Sequence, residues 1–156
     1  HQLHRRQRQM CIRDSYVRSR SVNSVRGPQG LPLIKPPYAR VTAIDMGTGD
    51  HKWMTINGDG PRQKVIDMGL PDPGPLGASW SGGPVLTKSL LFVTQADGQR
   101  NVLRAFDKSD GQIVAEIDLP ARPWGTPMTY SQNGKQYIVV AIGQAQDARL
   151  VALALP

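Results

Sequence analysis

This sequence predicts an all-β fold assembled from repeated four-stranded units, and three observations lead there. Residues 125–143 read as a β-hairpin, with a strand-prone run at 128–130, the turn dipeptide Asn133-Gly134, and a β-branched return strand at 137–142. That return strand is apolar throughout instead of alternating, so both of its faces need cover and the hairpin belongs inside a stack of sheets. The same plan recurs upstream in Gly83-Pro84-Val85-Leu86-Thr87 followed by Leu90-Leu91-Phe92-Val93-Thr94. A second element repeats as well: Ala105-Phe106-Asp107 with Gly111 matches Ala43-Ile44-Asp45 with Gly49, and Val151-Ala152-Leu153-Ala154-Leu155 begins a third copy. Short strands in groups of four, repeating at about 40 to 50 residues, are the sequence signature of propeller blades, so the expected architecture is built of β-propeller blades.

The elements follow in order. Residues 1–26 carry seven Arg against one Asp, whereas residues 27–156 carry twelve Lys or Arg against eleven Asp or Glu, so the formal charge of +7 belongs to a tail and the body is nearly neutral. The tail has no apolar face and no hydrophobic run, which predicts disorder and excludes a signal peptide or membrane span within it. Residues 1–15 resemble a translated sequencing-adapter read and are expected to be non-native, in which case the true N-terminus is missing and Cys11 says nothing of redox chemistry. No aromatic is interleaved with these arginines, so nucleic acid is not an expected partner.

Residues 16–37 are rich in Ser, Arg, Gly and Pro, and Pro28, Pro32, Pro36 and Pro37 predict an extended lead-in without a helix. Strands are expected at 40–44, 51–56, 84–87, 90–94, 102–107, 112–118, 126–130, 136–142 and 149–154, with no helix longer than two turns. Trp53 is placed to pack between neighbouring blades. Residues 57–82 are expected to be one long irregular loop, opened by the turn cluster Asn57-Gly58-Asp59-Gly60-Pro61 and kept irregular by Pro71, Pro73 and Pro75.

Few residues suggest chemistry on their own. Asp45 and Asp107 hold equivalent repeat positions before a Gly turn, where a carboxylate accepts backbone N–H bonds, so both read as structural. Glu116, the body's one glutamate, reads as a solvated residue on a strand face, Asp59 as a turn residue, and His51 as a packing or surface residue on the face of Trp53. No second His or Cys is available in the body for zinc or for a nucleophile–base pair. Trp80 and Trp124 each precede the first strand of a unit, where they either line a flat aromatic cofactor or plug a channel or blade junction.

Pro36-Pro37-Tyr38, the complete Ala-x-Asp-x-x-Thr-Gly-x-x-x-Trp pattern of 43–53, Asn57-Gly58-Asp59-Gly60-Pro61, Gly82-Gly83-Pro84-Val85-Leu86-Thr87, Ala105-Phe106-Asp107-Lys108 and the 125–143 hairpin occur in one order. Taken together they resemble the C-terminal end of a pyrroloquinoline-quinone (PQQ)-dependent dehydrogenase of the glucose dehydrogenase-like branch. The resemblance covers residues 27–156. It implies an all-β, eight-bladed quinoprotein propeller of which this chain is the last two to three blades. By the same resemblance, PQQ and calcium are expected on the axis, a sugar or alcohol C–OH group is expected to be oxidised, and electrons are expected to pass to a quinone or cytochrome. It also implies a periplasmic location, with an inner-membrane anchor in the missing N-terminal region as one version. The second repeat copy departs from the pattern, with Asp110 for the Thr and Ala115 for the Trp, which predicts a looser blade interface there. After Gly143, where some relatives carry a Gly-Trp loop against the quinone, this chain reads Gln144-Ala145-Gln146-Asp147.

The resemblance makes Trp80, Trp124 and the backbone at Gly143 the cofactor-facing candidates, as wall and not as catalyst. No catalytic residue and no metal ligand is assigned within the chain; both are expected upstream, and the fragment is expected to be inactive alone. The rival reading is a non-enzymatic propeller scaffold of the outer-membrane assembly type, which shares the repeat but binds other polypeptides.

Overall fold

The structure, a computed structural model, describes residues 26–78, 82–96 and 100–154. The chain divides into two units, residues 1–33 and 34–156. Of the first unit, Pro28–Gly30 forms a single 3-10 turn. Gly27 N–H donates to the Leu31 carbonyl at 2.7 Å, and Arg26 pairs with Pro32 as an isolated β-bridge. The lead-in therefore contains one helical turn where none was expected, because proline is well suited to the first position of such a turn. Residues 1–25, on which the disordered-tail expectation falls, lie outside the described residues.

Among its described residues the second unit has nine strands in three antiparallel sheets: β1 (Arg40–Ile44) and β2 (His51–Ile56); β3 (Pro84–Leu86), β4 (Leu90–Ala96), β5 (Asn101–Asp107) and β6 (Ile113–Asp118); β7 (Pro123–Gln132), β8 (Lys135–Ile142) and β9 (Arg149–Ala154). The middle sheet is a four-stranded meander in sequence order, as the repeat predicts. Three of the nine strands have the expected bounds, and the others differ by one to three residues at an end. The largest difference is at β7. It runs from Pro123 because a register shift between Trp124 and Met128 lets the strand bend and keep pairing, and it runs to Gln132 because the turn to β8 needs only Asn133 and Gly134, both at positive φ (52° and 74°).

One element was not foreseen. α1 (Arg62–Asp67) lies inside the segment expected to be irregular. Pro61 opens it, Arg-Gln-Lys are good helix formers, and Gly69 at φ 77° ends it, so local propensity outweighs the surrounding prolines over less than two turns. Two bonds between Arg62 and Asp72 (Nε to Oδ1 at 2.8 Å, Nη2 to Oδ2 at 2.6 Å) clasp it to the chain that follows. A 3-10 turn at Ala145–Asp147 closes the β8 to β9 connection.

The repeats coincide in register as well as in sequence. Ala43 faces Trp53 across β1–β2, Ala105 faces Ala115 across β5–β6, and each pair is followed directly by a register shift. Asp45 and Asp107 do what their position predicts: Oδ1 of each accepts a backbone N–H two residues on, from Gly47 and Ser109, both at 2.8 Å. These bonds hold both carboxyl groups below the ordinary aspartate range, helped in Asp107 first by the Ser109 hydroxyl and in Asp45 by Lys52.

The core lies between the second and third sheets, where Leu103, Leu119, Val140 and Ile142 are buried with Phe92, Ile138, Val151 and Leu153 against them. Neighbouring residues Val139 and Val140 are both buried, so the centre of β8 is covered on both faces as its unbroken apolar run requires. Trp53 joins the first sheet to the second. Its indole N–H donates to the Lys108 carbonyl at 2.9 Å, and its ring lies so close to Gly111 that a Cβ there would come within 2.3 Å of it. Thr55 adds a bond from its hydroxyl to the Gly111 carbonyl at 2.6 Å.

Candidate functional site

The turn 57–60 is built into a cleft wall by its backbone. Asn57 N–H donates to the Ala39 carbonyl at 3.1 Å, and the carbonyls of Asn57 and Gly58 accept from Ala78 and Gly77, both at 2.8 Å. Three chain segments, 38–39, 57–59 and 76–78, are thereby laced together. Beside them opens a cleft of about 840 Å³ whose lining includes Lys35, Tyr38, Arg40, Asn57, Pro84 and Val93. Two cations, a phenol and an amide among the lining residues suit an anionic or carboxylate-bearing molecule. Pro36-Pro37-Tyr38 and the Asn57 turn are separate motifs in the sequence, and the chain brings them together only in three dimensions.

Behind Asn57 stands Arg104, 7% exposed. Its Nη1 donates to Asn57 Oδ1 at 3.0 Å, and its Nε donates to Glu116 Oε1 in a short contact. Glu116 also meets Arg100 at 3.4 Å. It is therefore not a solvated bystander, as expected from its place beyond a Gly turn, but the counter-charge of a buried guanidinium. Arg104 foremost, then Arg100, hold its carboxyl below the usual glutamate range. The partnership is set by register, Arg104 opposite Glu116 across β5–β6, which no local motif encodes. Gln95, fully buried on β4, donates from Nε2 to the Ala78 carbonyl at 2.6 Å, while its Oε1 has no protein partner among the described residues.

Of the three cofactor-facing candidates, Trp80 lies outside the described residues. Trp124 and Gly143 are brought together at one end of the third sheet: Pro123 pairs with Ile142, and Gly143 N–H donates to the Arg122 carbonyl at 2.9 Å. The Arg122 guanidinium lies over the Trp124 ring, 5.1 Å from its centroid. Gly143 sits at φ 76°, and a Cβ there would fall 2.3 Å from the Asp147 carbonyl oxygen, so only glycine fits under the 145–147 turn. An aromatic ring paired with a cation suits a flat polycarboxylate such as PQQ, whereas the space at Gly143 is filled by the chain's own 145–147 turn. Calcium does not fit the same way. It needs about six to eight oxygen ligands, and among the described residues no group of three or more His, Cys, Asp or Glu side chains could hold a metal. No helix among them is long and apolar enough to cross a membrane.

A four-stranded meander, a repeated Asp-to-Gly turn and a tryptophan keyed into the next sheet define a propeller built on tryptophan docking. Residues 3–138 match the family model described as the PQQ-type glucose/ethanol/alcohol dehydrogenase β-propeller domain. The chain is similar to the quinate/shikimate dehydrogenase (quinone) of Acinetobacter baylyi, 41% identical over 125 residues that cover 76% of this chain and 15% of that protein. It is also similar to the quinoprotein glucose dehydrogenase of Escherichia coli K12, 34% identical over 143 residues, 87% of this chain and 18% of the relative. Methanol dehydrogenase (cytochrome c) subunit 1 of Methylorubrum extorquens is more distant, at 26% over 79% of this chain and 16% of its own length. The chain belongs to the PQQ-dependent dehydrogenase β-propeller family, and its three sheets are one four-stranded blade between parts of two others. It spans 15% and 18% of the length of the first two relatives.

Proposed function

We propose that this chain is a part of a PQQ-dependent dehydrogenase that oxidises a sugar or alcohol C–OH group and passes the electrons to a quinone or cytochrome. The observation that carries this reading is the family match over residues 3–138; the three relatives given above all bear dehydrogenase names, and two of those names include a quinone or cytochrome. Those names favour an oxidoreductase over a polypeptide-binding scaffold. In the reading, PQQ when bound supplies the two-electron acceptor. This chain supplies wall: Trp124 offers a ring face, Arg122 a positive charge, and Gly143 the tight turn that seats residues 145–147 beside them. Trp80, which precedes Gly83-Pro84 as Trp124 precedes Gly125-Thr126-Pro127 in the sequence, is the further candidate the repeat suggests. Calcium ligands and the general base that takes the substrate proton come from elsewhere in the propeller, since the described residues hold no carboxylate cluster. The periplasm is the compartment this reading requires, with membrane attachment through another region as its variant.

The test has two readouts. PQQ is titrated into the 156-residue chain and followed by quenching of tryptophan fluorescence, with weak binding expected that Trp124→Ala lowers further. Dye reduction is then measured with PQQ, calcium, and glucose or ethanol. No turnover is expected from the chain alone, and turnover is expected once the chain is joined to the remaining blades. Activity of the chain by itself refutes the placing of the catalytic groups elsewhere, and PQQ binding indifferent to Trp124 refutes the wall.

A further inference from the structure

The two interfaces in this stack are built on one plan but filled differently. Trp53 and Ala115 hold the same register position, each opposite the alanine of an Ala-x-Asp strand and each next to the same register shift. At the first interface the Trp53 indole fills the space between sheets and bonds to Lys108 of the next one. At the second, Ala115 leaves the space open. A cavity of about 410 Å³ lies there, lined by Phe92, Leu103, Ala115, Ile117, Ile138 and Leu153. Its remaining walls include the polar side chains of Ser89 and Gln136.

We propose that this cavity is a binding slot for a small planar aromatic molecule of the indole class, taking the place that the repeat gives to a tryptophan side chain. Three properties support that occupant. The matching interface shows what the plan accommodates, an indole packed against Gly111 of the next sheet with its N–H donated to a backbone carbonyl. The lining is dominated by aliphatic and aromatic groups, so an apolar ring gains by leaving water, while Ser89 and Gln136 give one N–H donor a partner. The size suffices, since an apolar cavity of about 150 Å³ already binds benzene. A charged ligand does not suit the slot, because no ionisable side chain is among its walls in the described residues.

The experiment is calorimetric titration of the whole chain with indole. Saturable binding at one site is expected, together with a rise of Tm as indole is added. Ala115→Trp should abolish binding and raise Tm without ligand, because the new side chain occupies the slot. Ala115→Leu, a smaller filling that keeps the test alive should the tryptophan variant not fold, should weaken binding several-fold. Met128→Ser serves as control, since Met128 is exposed and outside the cavity walls; it should leave binding unchanged. Absence of saturable binding up to the solubility limit of indole overturns the proposal. So does binding that survives filling at position 115, or binding that the Met128 change removes.

Discussion

Trp53 and Lys108 are 55 residues apart in sequence and joined by one 2.9 Å hydrogen bond from the indole N–H to the backbone carbonyl. With Gly111 under the ring, that bond makes the first interface a keyed joint. Trp53→Ala should therefore cost about 3 kcal/mol, the order seen when a large aromatic is deleted from a packed site. Trp53→Phe keeps most of the area and loses the donor, so about 1 kcal/mol is expected. Chemical denaturation of the three proteins gives both values, and equal losses for Ala and Phe would mean that the hydrogen bond, not the packing, holds the joint.

Arg104 and Glu116 form the second test. Breaking a fully buried pair from one side costs roughly 3–5 kcal/mol, and because Glu116 is about a third exposed, about 2 kcal/mol is the expectation for Glu116→Gln. Changing Arg104 to Met in the same protein should recover part of that loss, since the unmatched cation is then gone. The pH dependence has a fixed sign. The Glu116 carboxyl is held below its ordinary value, so its contribution is complete above the usual glutamate range and fades as pH falls through the lowered value. Tm of wild type and Glu116→Gln should converge in acid and stay apart at neutral pH.

The clasp on α1 is expected to be local. Arg62 lowers the Asp72 carboxyl to about 2, with the Gly74 N–H adding to the effect. Contact between them is complete above the ordinary aspartate range and is lost only as pH falls through about 2. Carbon-detected NMR titration of Asp72 checks the value. Asp72→Asn should leave the global Tm nearly unchanged but make residues 62–75 more open to limited proteolysis.

Two glycines at similar φ offer a matched pair. A Cβ at Gly49 meets nothing within 4 Å, whereas at Gly143 it meets the Asp147 carbonyl oxygen at 2.3 Å. Gly49→Ala should cost about 1 kcal/mol from backbone strain alone. Gly143→Ala should cost more and should displace the 145–147 turn, which changes in the amide spectrum of residues 122–124 would report.

What could be read from the sequence was whatever is encoded within a few residues of itself. Asn133-Gly134 marks its own turn, Asp45 and Asp107 bond to N–H groups two positions away, and Trp53 belongs to a pattern that states its role. What could not be read depends on strands meeting. Glu116 looks like any strand-face carboxylate until β5 is laid beside β6, and then Arg104 stands opposite it. The cleft beside Asn57 needs the lead-in, the loop and β3–β4 to converge. α1 is legible in its own six residues, Arg62–Asp67, but was obscured by the prolines around it. Of the cofactor-facing candidates, the repeat position pointed to Trp124, and only the folded chain joins it with Arg122 and Gly143.

Asn57 serves two masters: it is a wall of the cleft, and it is the acceptor for Arg104, whose other hand is on Glu116. The chain of contact runs from a partly solvated carboxylate on an edge strand, through a buried cation, to an amide facing the cleft. Protonating Glu116, or pulling β6 away, slackens the Arg104 tether first and the Asn57 amide next. The cleft wall is in this sense supported from the edge of the sheet, by a group that solvent can reach.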